Sequence, residues 1–310
     1  MSTAIASPRP DSSRPDSPRP ASLRLVARLG LARKFALLGA IALVVVGALL
    51  ALHVRDSLST LRTVGRELDG LEPSRALLDV VRLAQQHRGL TSTVLGGKAD
   101  AEPDRAARQA EVDAAMQRFD AIVAREVDDA RTREDWSKVS DAWRTLSGAV
   151  AGRRIAAADS LARHTALIAA QIELHDRVVD HFGLTLHPEA AGYFMIVATL
   201  QQMPRLTELM GQARARGAAI LAARSATPEA KAALAGVTAR VATQLRDVRV
   251  TLDKAFDASP DARRALGDAV DKAVVQAQSA LELARTEILE AGELRFPAGD
   301  YFKATTAAID

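Results

Sequence analysis

The stretch from Phe35 to Leu52 constrains the fold of this chain more than any other feature. Its 18 residues carry no charge, and none is more polar than glycine. A helix of this length covers about 27 Å and, with its flanks, crosses a bilayer core of roughly 30 Å. No other window of the sequence is comparable. We therefore predict a single transmembrane helix over residues 35–54, followed by one large domain.

The distribution of basic residues predicts the orientation of this helix. Residues 1–34 contain seven Lys or Arg and two Asp, and the positive-inside rule places such a segment in the cytoplasm. The rest of the chain holds 41 − 7 = 34 basic and 38 − 2 = 36 acidic residues, a net charge of −2. Because the positive excess lies in the tail, we expect no nucleic-acid partner.

A cleaved signal peptide has the same order of parts and is the alternative to an anchor. The basic region here is too long for one, the apolar core exceeds the usual length, and Ala48 to Ala51 is a poor cleavage site. An anchor is therefore favoured. Residues 1–22 are rich in Ser, Pro and Arg and have little to bury. We predict that residues 1–34 form a disordered, basic cytoplasmic tail.

Helical periodicity dominates the sequence after the apolar stretch. Apolar residues recur at steps of three and four up to Pro73, which predicts that one helix ends there and that another covers about residues 74–95. Residues 134–182 contain no proline, and a glycine at 148 or 152 is the expected place for a bend or break. Two later seams have heptad spacing: Leu234, Val237, Val241, Leu245, Val248, Leu252 and Phe256, then Leu266, Val270, Val274, Ala277, Leu281, Ala284 and Ile288.

The fold class that follows is all-α, with long antiparallel helices. No alternating strand pattern of any length is present. The break at residues 183–188, GLTLHP, divides the large domain. We predict two stacked four-helix-bundle modules, the first over residues 55–183 and the second over residues 184–310.

Catalytic signatures are missing from the sequence. It has no glycine-rich phosphate loop, no H-E-x-x-H, no G-x-S-x-G and no cysteine. We therefore expect no enzyme, no catalytic residue and no cofactor. The His/Asp group around the break matches no metal-ligand spacing, so no metal site is predicted. His175 shares an apolar stripe with Ile168 and Ile172, and is expected to be a core histidine with satisfied hydrogen bonds.

Arg88 is the residue that most suggests a binding site. On a helical wheel it falls within an apolar stripe that includes Leu77 and Leu95, with His87 at the edge of that stripe. A guanidinium facing a bundle interior must be paired or must bind an anion. Two interpretations remain open: Arg88 binds a small anion, or it pairs with a carboxylate such as Asp113 or Glu208.

Glycines follow arginines at two comparable places. Gly89 follows Arg88, and its low helix propensity suggests the close approach of another backbone. In the second half, Arg214 lies on a stripe with Ile196, and Arg216 is again followed by a glycine. This repetition predicts a duplicated bundle. The candidate ligand-binding residues are therefore His87, Arg88, Arg214 and Arg216.

Four segments carry a family resemblance: QQHRGLTSTVLGG, VDAAMQRFDAIV, HPEAAGYFMIVATLQQMPRLTELMGQARARGAAIL and PAGDYFKATTAAID. They resemble the nitrate/nitrite-sensing (NIT-type) helical domain of bacterial methyl-accepting chemotaxis proteins and related sensor kinases, over about residues 54–310. The resemblance implies a homodimeric inner (plasma) membrane receptor whose residues 55–310 are periplasmic. It also implies a ligand bound between bundle helices, near His87 and Arg88.

Such receptors continue into a second span, a HAMP domain and an output module. No such segments occur within the 310 residues, so the resemblance leads us to expect a truncated chain. Chemotaxis-type sensing of a small anion is the first hypothesis. The alternatives are the input region of a sensor histidine kinase and a membrane-anchored helical scaffold without a small ligand.

Overall fold

A computed structural model of the protein describes residues 30–309, except for the side chains of residues 59–63. The prediction of a disordered tail over residues 1–29 lies outside the described residues. Helices account for nearly all of the described chain, which contains no β-strand, so the all-α prediction is confirmed. Nine α-helices occur within residues 30–309: α1 Leu31–Leu95, α2 Glu102–Glu126, α3 Ala130–Ala151, α4 Ala157–His181, α5 Ala190–Ile196, α6 Met203–Ala223, α7 Pro228–Ala258, α8 Pro260–Ala284 and α9 Ala298–Ala307.

Shorter helical turns connect several of these helices. The 3₁₀ turns are Ala99–Ala101 and Leu184–Leu186, and Gly183 before the second has a left-handed backbone with φ 72°. Two segments are π-helical, Val197–Gln202 between α5 and α6 and Arg285–Leu289 after α8. The break predicted at residues 183–188 thus contains a helix-ending glycine and a short 3₁₀ turn.

The first part of α1 has the properties of a membrane span. Its segment Leu31–Leu58 contains an 18-residue window with a mean hydropathy of 2.8, and none of that window is buried in the protein. The helix already begins at Leu31, so residues 31–34, which the sequence assigned to the tail, are helical. The chain divides into two compact units, Met1–Leu61 and Arg62–Asp310.

Pro73 does not end α1, contrary to the prediction. The helix continues through it to Leu95. A proline in a helix interior costs about 3 kcal/mol, because one hydrogen bond is lost and the ring crowds the preceding turn. Packing on both sides offsets that cost. A Cβ on Gly70 would lie 2.5 Å from the Cβ of Phe182, so the two helices meet closely there, and Leu77 is fully buried.

Helices α1 to α4 share one hydrophobic core. It contains Leu77 and Val80 of α1, Phe119 of α2, Trp136 and Trp143 of α3, and Leu174 and Val178 of α4. The chain reverses between α3 and α4 at Gly152 and Arg153, and Arg153 has φ 51°. The break at one of the two glycines is therefore where the sequence predicted it.

A second core lies among α6 to α9 and the preceding π-helical turn. All seven residues of the α7 seam are buried, which confirms that heptad pattern. The α8 seam is buried only in part. Ala277 and Ala284 pack beneath Tyr301 of α9, whereas Leu266 is 43% exposed. Gly217 allows this docking, since a Cβ there would lie 2.5 Å from the Tyr301 ring.

Candidate functional site

The centre of the candidate site is an ion pair between α1 and α6. Arg88 Nη1 donates to Glu208 Oε1 at 2.6 Å, and Nη2 donates to Oε2 at 3.0 Å. Both side chains are buried. Of the two carboxylates considered from the sequence, Glu208 is the partner. Asp113 instead accepts a hydrogen bond from the Trp143 indole at 2.6 Å.

Neutral side chains complete the hydrogen bonding of this pair. Thr165 of α4 accepts from Arg88 Nη1 at 3.1 Å. Gln85 and Gln212 donate to the two oxygens of Glu208 at 3.0 and 2.9 Å. The pair therefore joins three helices, and charge-assisted bidentate hydrogen bonds of this kind are among the stronger polar interactions in proteins.

Arg88 also lines an open cleft of about 500 Å³. The walls come from α1, the loop after it, α6 and the start of α9, and most of the lining residues are small. Among the described residues, three cations line the cleft, namely Arg88, Lys98 and Arg214, and no acidic residue does. Cations at a cleft attract anions, although Glu208 offsets the charge of Arg88.

The start of α9 also borders the cleft, and its first turn contains Asp300. Ala298 and Gly299, the first residues of α9, line the cleft. Amides in the first turn of a helix have no acceptor within it and form the positive end of the helix dipole. Arg214 is tied to the same helix: its Nη1 donates to Thr306 Oγ1 at 2.8 Å, and its guanidinium lies 4.7 Å from the centre of the Phe302 ring.

The four residues proposed from the sequence thus lie in three different environments: the cleft, the surface and the core. Arg88 and Arg214, proposed from equivalent positions in the two halves of the chain, line the same cleft. Arg216 is exposed and is not part of the cleft lining. His87 is fully buried and contacts other helices of the first core. Lys98 was not predicted as a site residue. The sequence does show that it lies in a loop, because it directly follows the two glycines after α1.

His87 belongs to a directional chain of buried hydrogen bonds. His164 Nδ1 lies 2.8 Å from the Ser160 carbonyl oxygen, so it carries the proton and leaves Nε2 as an acceptor. His87 Nδ1 then donates to that Nε2 at 3.0 Å, and Arg105 Nη1 donates to His87 Nε2 at 3.2 Å. Both rings are neutral in this arrangement. Burial lowers the pKa of His87 to about 3 and that of His164 to about 4.

Two glycines, Gly211 and Gly89, lie beside Arg88 at the cleft. A Cβ on Gly211 would lie 3.1 Å from Arg88 Nη2, so the guanidinium rests against the α6 backbone. A Cβ on Gly89 would meet nothing within 4 Å. The prediction that another backbone approaches Gly89 is therefore wrong. Gly89 instead borders the open cleft.

His175 is buried, as predicted, but it is not satisfied. Neither of its ring nitrogens has a hydrogen-bond partner among the described residues, and the same holds for both polar atoms of Gln171, one turn earlier. The expectation of a satisfied core histidine is thus wrong in that respect. Across residues 30–309, no group of His, Asp and Glu has the arrangement of a metal site.

These features define a class of fold: an all-helical domain with a cleft between helices that is lined by cations. The family model for nitrate and nitrite sensing (NIT) matches residues 79–310, and the chain belongs to that family. Membership of a sensing family supports a sensor and not an enzyme.

One solved structure with a similar fold is that of the NasR transcription antiterminator. The similarity has a TM-score of 0.51 and 14% sequence identity, and it covers 85% of this chain and 84% of that one. At this identity the likeness shows the fold alone. The comparison with curated protein sequences finds no significant match.

Proposed function

We propose that this chain senses nitrate or nitrite as the input region of a transmembrane receptor, and that the anion binds in the cleft between α1, α6 and α9. The observation that carries the proposal is the convergence of Arg88, Lys98 and Arg214 on a cleft that has no acidic lining residue within the described part of the chain. All three lie within the residues matched to the nitrate and nitrite sensing family.

The chemistry of the cleft suits a small planar anion. A guanidinium presents parallel N–H groups that match two oxygens of such an anion, as they match a carboxylate. Amides at a helix start accept negative charge without a cost in side-chain entropy, and the start of α9 supplies them. The alanine-rich α6 wall offers few competing hydrogen-bond acceptors.

Arg214→Gln is expected to weaken nitrate binding about tenfold or more, because a hydrogen bond to a charged group contributes about 1.5–3 kcal/mol. The measurement is isothermal titration calorimetry of the full chain in detergent micelles with sodium nitrate. Arg216→Gln is the matched control, since Arg216 is exposed two residues away and lies outside the cleft lining. Equal loss in both variants would show that general charge, and not the cleft, governs binding.

The proposed receptor is a homodimer in the bacterial inner membrane, of the chemotaxis type or, alternatively, the input region of a sensor histidine kinase. Residues 35–54, within the apolar segment Leu31–Leu58, would be the span, the N-terminus would be cytoplasmic and residues 55–310 periplasmic. The chain has no cysteine, so Ser225→Cys, at an exposed position between α6 and α7, gives a single thiol. We expect a membrane-impermeant maleimide to label it in cells with a permeable outer membrane. Labelling only after cell lysis would contradict this orientation.

The buried Arg88–Glu208 pair favours a second candidate, a membrane-anchored helical scaffold without a small ligand. In that case the pair would serve only to hold α1 on α6. The cleft beside Arg88 counts against it. Failure of the wild-type chain and of the anion-site variants to bind nitrate or nitrite in the calorimeter would favour the scaffold.

A further inference from the structure

We propose that Glu208 is a resident counter-anion, which occupies Arg88 when the cleft holds no ligand and with which an incoming anion must compete. The inference rests on the proposed function and adds to it a residue that sets affinity. Glu208 would act through Arg88 and does not itself line the cleft. It is therefore a positioning residue.

The geometry makes Glu208 a competitor for the groups that recognise an anion. Its two carboxylate oxygens take both Nη atoms of Arg88, in the bidentate arrangement that a planar ligand anion would also use. Lys98 and Arg214 are the other cations that line the cleft among the described residues. An anion that binds to all three cations must therefore share Arg88 with Glu208 or displace it.

Arg88 is placed so that it can change partners with little backbone movement. Its Nη2 lies against Gly211, and both Gly211 and Gly89 line the cleft. Among the described residues, its hydrogen bonds to Glu208 and Thr165 use only some of its N–H groups. Arg88 itself lines the cleft, so an anion bound there competes for a guanidinium that is within its reach.

Glu208 remains hydrogen-bonded when it loses Arg88. Gln85 and Gln212 donate to its two oxygens independently of the arginine. The carboxylate thus keeps neutral partners, which limits the cost of the exchange. These contacts distinguish Glu208 from a carboxylate held by an arginine alone.

The negative charge of Glu208 repels a bound anion in either case, whether the anion shares Arg88 with Glu208 or displaces Glu208 from it. Two anions near one guanidinium in a poorly solvated site repel each other more strongly than they would in water. Exchange also removes a direct tie between α1 and α6. The ligand therefore interacts differently with the tied and the untied states, which is the condition for a ligand to shift a conformational equilibrium.

The test is nitrate calorimetry on the full chain in detergent micelles with the wild type, Glu208→Gln and Asp176→Asn. The carboxamide in Glu208→Gln still accepts from Arg88, and its amide group can donate to a flipped Gln85 or Gln212. We expect about tenfold or more tighter nitrate binding, since the repulsion is removed. Asp176→Asn makes the same chemical change at the Asp176–Arg205 pair between α4 and α6, which lies outside the cleft lining, and is expected to keep the wild-type affinity.

Glu208→Asp is the second variant, and it protects the test against a folding defect in Glu208→Gln. It keeps the charge but withdraws the carboxylate from Arg88 by one methylene, so we expect an intermediate gain in affinity. Wild-type binding with no gain in either Glu208 variant would overturn the counter-anion and leave the proposed function standing. Absence of nitrate binding in all of the proteins would overturn both. A gain shared by Asp176→Asn would also overturn the inference, because it would then reflect a general loss of negative charge.

Discussion

Arg88→Met is expected to lower the free energy of unfolding by about 3–5 kcal/mol, even without any ligand. The substitution leaves the Glu208 carboxylate buried with only the neutral donors Gln85 and Gln212. A buried charge without its partner is far more costly than the absence of both charges. This expectation holds because the Arg88 and Glu208 side chains are only 4% and 8% exposed.

A double-mutant cycle isolates this effect. Urea unfolding of the full chain in detergent would compare the wild type, Arg88→Met, Glu208→Leu and the double variant. We expect the double variant to be much more stable than either single one, because it replaces an ion pair by apolar side chains. If the double variant were as unstable as Arg88→Met, packing and not charge would explain the loss. For the same reason, loss of nitrate binding in an Arg88 variant is ambiguous, and Arg214 is the better probe of the cleft.

Acidification is expected to produce the second large effect, a steep loss of stability below about pH 6.5. Burial lowers the pKa of His87 to about 3, and the pKa values of His164 and His175 to about 4. A histidine whose pKa is depressed by folding stabilises the fold fully above its unfolded pKa. That contribution is lost as the pH falls towards the folded pKa, because the unfolded chain binds protons that the folded chain does not.

The size of the acid effect is on the order of 3 kcal/mol for each histidine at pH 4, from 1.36 kcal/mol per pKa unit. The three contributions do not add simply, since His87 and His164 contact each other. Protonation of His87 would also place a charge beside the Arg105 guanidinium. Urea unfolding at a series of pH values between 7.5 and 4 measures the slope.

His175→Leu gives the matched control for this slope. The ring nitrogens of His175 have no hydrogen-bond partner among the described residues, so leucine forfeits no hydrogen bond within that part of the chain. We expect stability at pH 7.5 to be unchanged or higher, and the loss at acid pH to be smaller than in the wild type. An unchanged slope would show that His175 takes no part in the acid sensitivity.

The fold could be predicted largely from the sequence because helical periodicity reports burial directly. The seam from Leu234 to Phe256 is buried throughout, since its spacing matches a regular helix packed on one side. The prediction failed at Pro73. The rule that proline ends a helix considers only neighbouring residues, whereas a contact between distant residues stabilises the helix here. The packing of Gly70 on Phe182 joins residues far apart in the chain, and no local pattern shows it.

The site was predictable in part for the same reason. The helical wheel placed Arg88 correctly because α1 is regular from Leu77 to Leu95. The wheel drawn from Ile196 to Arg214 crosses the π-helical turn Val197–Gln202, where the turn is wider and the register of later residues changes. Lys98 and the start of α9 join the cleft only through tertiary packing, which the sequence alone does not express.

The proline within α1 also bears on the order of events during synthesis. The ribosome completes the segment around Pro73 long before it reaches Phe182, yet the contact between Gly70 and Phe182 offsets part of the cost of that proline. The nascent segment therefore lacks a partner that stabilises it as a helix during this interval. We therefore expect this part of α1 to become a stable helix only after α4 has been synthesised and packs against it.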